Sequence, residues 1–274
     1  MKDVSLYEKV PALENNYSIK FIASHQSPRL MPHWHEHIEL LYFFGGECVF
    51  TLNGKTFPVC RGDLVAINST EIHSFVSREV PEFFCILIYP QFFSDISPDS
   101  IVPMENLIRK DEYVTELVTK IKEEFICASK GSDMILKGNV YKLMAHLVRN
   151  YTAERPSPME MANRSSMLAR TSLVLKYISE NYSEKITTAQ LAALCFLSES
   201  HFCRFFKKAI GKSAIDYINE YRIEKASVLL TQTDESIASV AALTGFEDAN
   251  YFSRVFRKYK NTTPENFRAN KNAS

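Results

Sequence analysis

The sequence has no charge surplus. Across 274 residues, 32 Lys and Arg face 32 Asp and Glu, so the total gives no sign of a polyanionic partner. It also has no CxxC pair: Cys48, Cys60, Cys85, Cys127, Cys195 and Cys203 are spaced for neither a disulfide framework nor a zinc site. No apolar run approaches the roughly 20 residues that a spanning helix needs. Residues 1–20 lack the basic start and apolar core of a secretory leader, so a reduced, cytoplasmic protein is expected. Disorder is excluded by 46% hydrophobic and 12% aromatic residues, and the length suggests about two domains.

The charge balance hides a division. Residues 1–165 hold 17 basic and 21 acidic side chains, whereas residues 166–274 hold 15 and 11. The halves therefore carry −4 and +4, an asymmetry that points to a nucleic-acid-facing C-terminal segment.

Short strands are expected between Tyr17 and Tyr89, at Ile38–Phe44, Cys48–Leu52, Thr56–Val59, Leu64–Ile67 and Phe83–Tyr89. Asn53-Gly54 is the strongest hairpin signal among them. Many short strands at this spacing predict a small all-β barrel or sandwich. From Asp111 the period changes to three and four. Val114, Leu117, Val118, Ile121 and Phe125 mark one amphipathic helix, and Leu136, Val140, Leu143 and Leu147 a second. Their stripes must be buried on the barrel or on a second subunit. Residues 152–166, with two prolines and no apolar period, read as a linker. Beyond it, helices are expected near 171–181, 188–193, 199–210, 214–230, 237–243 and 248–259.

A short helix, a tight turn and a second helix occur twice in that C-terminal stretch. In the first copy Phe202, Phe205, Phe206 and Ala209 form a core stripe, leaving Ser200, Arg204, Lys207 and Lys208 outward. In the second, Phe252, Val255, Phe256 and Tyr259 are the stripe, and Asn250, Ser253, Arg254 and Arg257 face out. The second turn has Gly245 where a positive φ is needed. The matching residue of the first is Phe196, so that turn either differs or packs less well. A helix of about 17 residues, about 25 Å long, would join the two copies.

These residues resemble the AraC/XylS family of bacterial transcription activators. The resemblance is carried by Arg222-Ile223, Ala226, Leu229-Leu230, Ser236-Ile237, Val240-Ala241, Gly245-Phe246, Tyr251 to Arg254, Phe256, Thr263-Pro264 and Phe267-Arg268. Asn261 stands where the family usually has Gly. The resemblance implies that each second helix enters a major groove. The matching positions are Ser200, Cys203 and Arg204 in the first copy, and Ala249, Asn250, Ser253 and Arg254 in the second. Arg204 and Arg254 suit base reading, because a guanidinium can bond guanine O6 and N7 together. Lys207, Lys208, Arg257 and Lys258 suit phosphates, or are simply a solvated face.

In the N-terminal half, His33, His35, His37 and Glu39 fall on one face if the segment is extended, and His73 follows later. This resembles the two cupin motifs, without the leading Gly of the first and with Asn68 and Thr70 where the second usually has Pro and Gly. Sensor domains of the AraC/XylS family resemble cupins. His33, His35, His37, Glu39 and His73 are therefore expected to line an effector pocket. No metal is favoured, His33, His35, Glu39 and His73 being the set that would hold one.

The expectation is an α+β chain of two domains. Residues 1–95 form a cupin-like effector-sensing barrel, 96–152 a helical packing or dimerisation segment, 153–166 a linker, and 167–274 a double helix-turn-helix domain. The expected function is a non-enzymatic, sequence-specific regulator, an activator by resemblance, acting on promoter DNA as a homodimer with RNA polymerase. Its effector would be a small molecule, a sugar by resemblance. A metal-dependent cupin enzyme fused to a DNA-binding domain and a purely architectural DNA binder are the alternatives.

Overall fold

The computed structural model describes residues 18–23, 28–96, 102–154 and 157–271. The N-terminal stretch through Tyr17 and positions 155 and 156 of the expected linker lie outside the described residues. The chain divides into two compact units between Leu168 and Ala169.

The N-terminal unit contains β1 (Ile19–Ala23), β2 (Arg29–His33), β3 (Ile38–Gly45), β4 (Glu47–Leu52), β5 (Lys55–Cys60), β6 (Asp63–Ile67), β7 (His73–Ser77), β8 (Glu82–Ile88) and β9 (Leu107–Arg109). They form two antiparallel sheets, ordered β1-β8-β3-β6-β9 and β2-β7-β4-β5. The expected cupin-like barrel or sandwich takes the form of two facing sheets, each with its own edge strands among the described residues. Two helices follow, α1 (Glu112–Cys127) and α2 (Ser132–Asn150).

The five-stranded sheet is a middle layer. In β3 alternate residues point to opposite faces, so Leu40 and Tyr42 join one core and Leu41 and Phe43 another. The first core lies under α1 and α2, whose Val114, Leu117, Val118, Ile121, Leu136, Val140, Leu143 and Leu147 are all buried there. The second lies between the sheets, where Phe50 and Phe75 of the four-stranded sheet meet Val65, Cys85 and Leu87. Burial on both faces explains why β3, β6 and β8 read as near-continuous apolar runs. Phe125, expected in the α1 stripe, is instead half-exposed at the last turn, its ring 5.3 Å from that of Phe21.

Asp111 fixes the start of α1. Its carboxylate accepts from Val114 N, from His146 Nε2 at 2.8 Å and from the Tyr151 hydroxyl at 2.7 Å. Burial alone would raise this carboxyl, but the bonds from His146, Val114 and Tyr151 outweigh it and bring its pKa down to about 2.

The expected linker is largely helical. Helix α3 runs Pro158–Asn181, and the division between units falls inside it. Ser157 and Glu160 cap its start reciprocally: Ser157 N donates to Glu160 Oε2 at 2.8 Å, and Glu160 N donates to Ser157 Oγ at 3.3 Å. Residues 158–166 look unpatterned because almost all are exposed, and α3 acquires a buried face only from Thr171, followed by Val174, Leu175 and Ile178.

The remaining helices are α4 (Thr188–Leu194), α5 (Glu199–Ile210), α6 (Ala214–Gln232), α7 (Ile237–Leu243), α8 (Ala249–Lys260) and α9 (Pro264–Lys271). All but α9 coincide with expected helices. Phe206 of α5 packs edge-on against Tyr217 of α6, 5.9 Å away. Ile223, Ala226 and Leu230 of α6 share a core with Val240, Phe252 and Phe256 of α7 and α8. Helix α6 therefore serves both helix pairs, and at 1.5 Å per residue its 19 residues span about 28 Å.

Candidate functional site

The two helix pairs close in the same way. In the first, Phe196 N donates to Ala193 O and Leu197 N to Ala192 O; in the second, Gly245 N donates to Ala242 O and Phe246 N to Ala241 O. This Schellman-type closure requires a left-handed residue. Phe196 has φ 55° and Gly245 has φ 84°, so the first turn is the same turn as the second despite its bulky residue.

Helices α5 and α8 are each 12 residues long, and each starts at a side-chain cap. Ser198 accepts from His201 N, and Asp248 accepts from Asn250 N and Tyr251 N. The caps satisfy donors that would otherwise be orphaned and so define where each helix begins. Ser200, Cys203, Arg204, Lys207 and Lys208 are exposed on α5; Ala249, Asn250, Arg254, Arg257 and Lys258 are exposed on α8, and Ser253 is partly so. Opposite them Phe202, Phe206 and Ala209, and Phe252, Val255, Phe256 and Tyr259, are buried. Phe205 is only partly buried, a small departure from the expected stripe.

Two details were not legible in the spacing. Lys258 Nζ lies 3.0 Å from Asp216 Oδ1 of α6, an exposed pair of little stabilising value that nonetheless gives this lysine a carboxylate partner. The hydroxyl of Tyr251 accepts from Asn219 Nδ2 at 3.0 Å, and the Arg254 guanidinium lies 5.7 Å from the Tyr251 ring. Tyr251 thus flanks the base-reading candidate of α8.

Arg222 of α6 ties the second turn to the preceding part of the unit. Its Nε donates to Tyr182 O and its Nη2 to Glu184 O, each at 2.7 Å, and its guanidinium lies 5.6 Å from the Phe246 ring. A Cβ on Gly245 would come within 2.6 Å of Tyr182 O and 2.9 Å of Arg222.

In the N-terminal unit His33, His35, Glu39 and His73 come together with their donor atoms all within 4.8 Å of one another. His33, His35 and Glu39 do not alternate along one strand, which corrects the expected arrangement. His33 ends β2 and faces His73 at the start of β7 in the four-stranded sheet. The chain then bends through residues 34–37 into β3. There Glu39 has the parity of Leu41 and Phe43 and looks across the intersheet space. Glu39 Oε2 lies 2.8 Å from His35 Nε2 and 3.1 Å from His73 Nε2, and its Oε1 accepts from the Cys85 thiol at 3.2 Å.

His37 stands outside this group of four. Its ring stacks on His35 at a centroid distance of 3.6 Å and neighbours Tyr89 at 5.0 Å. Burial, then the nearby His35, lowers its pKa to about 3, so it is a neutral ring here. Burial and the neighbouring His73 likewise hold His33 well below the usual imidazole range. Burial would raise Glu39, but the bonds and charges of His35 and His73 prevail and keep its carboxyl well below the usual carboxylate range.

Comparison with known proteins matches both units. Residues 16–144 match the family described as AraC-like ligand binding domain, and residues 191–270 match a helix-turn-helix domain family. A Bacillus subtilis protein named as the uncharacterized HTH-type transcriptional regulator YdeC is 25% identical over 251 residues, covering 86% of this chain and 85% of that one. The arabinose operon regulatory protein of Salmonella typhimurium is 28% identical over 232 residues, covering 82% and 80%. The lactose operon transcription activator of Staphylococcus xylosus is 23% identical over 230 residues, covering 81% and 80%.

Proposed function

The chain belongs to the AraC/XylS family of transcription regulators, with an N-terminal ligand-binding domain and a C-terminal DNA-binding domain, and on that premise we propose that it is a promoter-specific activator whose two recognition helices are α5 and α8. The observation that carries this reading is the pair of exposed arginines, Arg204 and Arg254, on two helices built and capped alike. In this reading they contact bases, with Ser200, Cys203, Ala249, Asn250 and Ser253 beside them. Lys207, Lys208, Arg257 and Lys258 lie toward phosphates, Lys258 by exchanging its Asp216 partner.

The effector is a small molecule taken up by the N-terminal unit. The names of the arabinose and lactose operon relatives support a sugar, and the second supports activation. An effector switches the protein only by binding two arrangements with different affinity. The chain acts as a homodimer in contact with RNA polymerase; because the inner stripes of α1 and α2 are buried on the sheet, the dimer uses outer residues such as Ile126, Met134 and Ile135, which are exposed. The relatives named as regulators support a regulator in preference to a cupin enzyme fused to a DNA-binding domain.

Fluorescence anisotropy with the full chain tests the assignment. Arg254→Ala should relax preference at one operator position, costing about 1–3 kcal/mol on the operator, whereas Lys207→Ala should weaken operator and random DNA alike. Equal losses on both DNAs for both variants contradict the assignment.

A further inference from the structure

Arg254 stands three residues after Tyr251, and at that offset two side chains of a helix are neighbours. Helical side chains lean toward the N-terminus, so the arginine reaches back over the tyrosine. Its guanidinium carbon lies 5.7 Å from the Tyr251 ring centroid, within the range at which an aromatic face attracts a cation. The ring is itself held. Its hydroxyl accepts from Asn219 Nδ2 at 3.0 Å, which ties it to α6, and the buried Phe246 ring of the second turn lies 6.1 Å away.

No carboxylate among the described residues competes for this guanidinium. Asp216 lines the same cleft between α6 and α8, but Lys258 Nζ at 3.0 Å and the Ser213 hydroxyl at 2.7 Å already occupy its two oxygens. The contact with Tyr251 also suits the chemistry of reading. An arginine with free rotamers loses that freedom on docking, whereas one laid against a ring has lost part of it beforehand. A ring takes the face of the guanidinium and leaves the N–H edge open, and it is the edge that bonds guanine O6 and N7.

We propose that Tyr251, anchored to α6 by Asn219, is a specificity-determining positioning residue that holds the Arg254 guanidinium ready for its base. The proposal rests on the reading of Arg254 as the base-contacting residue of α8 and deepens it, because sequence preference at that position then depends on two residues that touch no DNA. The device belongs to the second helix pair alone. At the matching place before Arg204 stands His201, which has no phenol hydroxyl for α6 to anchor. Tyr251 is 40% exposed, so its role is separable from packing: removing the ring empties little of the core.

The test is selection of bound duplexes from a randomised DNA pool by the full chain, with sequencing to give base preference position by position. Tyr251→Ala should relax the same position as Arg254→Ala, by about two- to fivefold, with native circular dichroism and with the position read by Arg204 unchanged. Tyr251→Phe and Asn219→Ala each remove the one anchoring bond, so they should relax that position equally, by about twofold. In an Arg254→Ala background, Tyr251→Ala should change preference no further, since a positioning residue acts only through the residue it positions. Three results overturn the proposal: a uniform loss of affinity in Tyr251→Ala with preference intact, which marks a structural role; a further loss in the double variant, which marks a direct DNA contact; or unequal effects of Tyr251→Phe and Asn219→Ala. Relaxation by Arg254→Ala with none by Tyr251→Ala overturns this proposal alone, whereas preference left intact by Arg254→Ala overturns the base-reading assignment beneath it.

Discussion

The pair α4–α5 and the pair α7–α8 turn the same corner with different residues. Each closes through the same two backbone bonds and each places its turn residue at positive φ, yet one has Phe196 and the other Gly245. The surroundings explain the difference. Phe196 is 95% exposed and lines a shallow apolar hollow with Leu173, Tyr177 and Leu194, so its side chain meets no obstacle. At Gly245 the space a Cβ would need is taken by Tyr182 O and the Arg222 guanidinium. The turn asks for a left-handed residue, but only the packed neighbour asks for glycine. A left-handed non-glycine costs about 1 kcal/mol or somewhat more, which a fold tolerates; a clash against backbone is harder to relieve.

Gly245→Ala should produce the largest effect. The new methyl meets a backbone carbonyl that is itself bonded to Arg222, so the C-terminal unit should lose about 3 kcal/mol in urea unfolding, with loss of operator binding at physiological temperature. A loss under about 1 kcal/mol would show that Tyr182 and Arg222 move aside readily, and the contrast between the turns would fail. Phe196→Gly should have a small effect of opposite sign. Relief of the left-handed strain, partly offset by the greater freedom of an unfolded glycine, should raise stability by no more than about 1 kcal/mol. A clear destabilisation in the same unfolding experiment would mean that the Phe196 ring contributes packing despite its exposure.

The same contrast between demand and context governs what could be read from the sequence. The double helix-turn-helix was legible because buried aromatic stripes and capping residues recur at fixed spacing, and even the left-handed C-cap at Asn261, φ 57°, follows from its residue type. Helix α9 was missed because its sequence, PENFRANK, offers one large apolar residue and no period. The start of α3 was missed for a related reason, since exposed residues carry no stripe, although Ser157 and Glu160 had the capping-box spacing that would have revealed it. Strands β2 and β7 escaped notice because each is short, one contains Pro32 and the other opens on polar residues. That omission distorted the histidine cluster. Without β2 and β7, His33, His35 and Glu39 are read along one extended segment with His73 apart, whereas Glu39 reaches its partners across the space between two sheets.

The central claim, that one chain reads DNA with two equivalent helices, is tested most directly by measuring operator preference position by position for the native chain, Arg204→Ala and Arg254→Ala. Each variant should relax discrimination at a different position, the two lying about one helical turn, roughly 10 base pairs, apart, with the other positions unchanged. Relaxation of the same position by both variants, or a uniform loss of affinity with preference intact, would contradict the account.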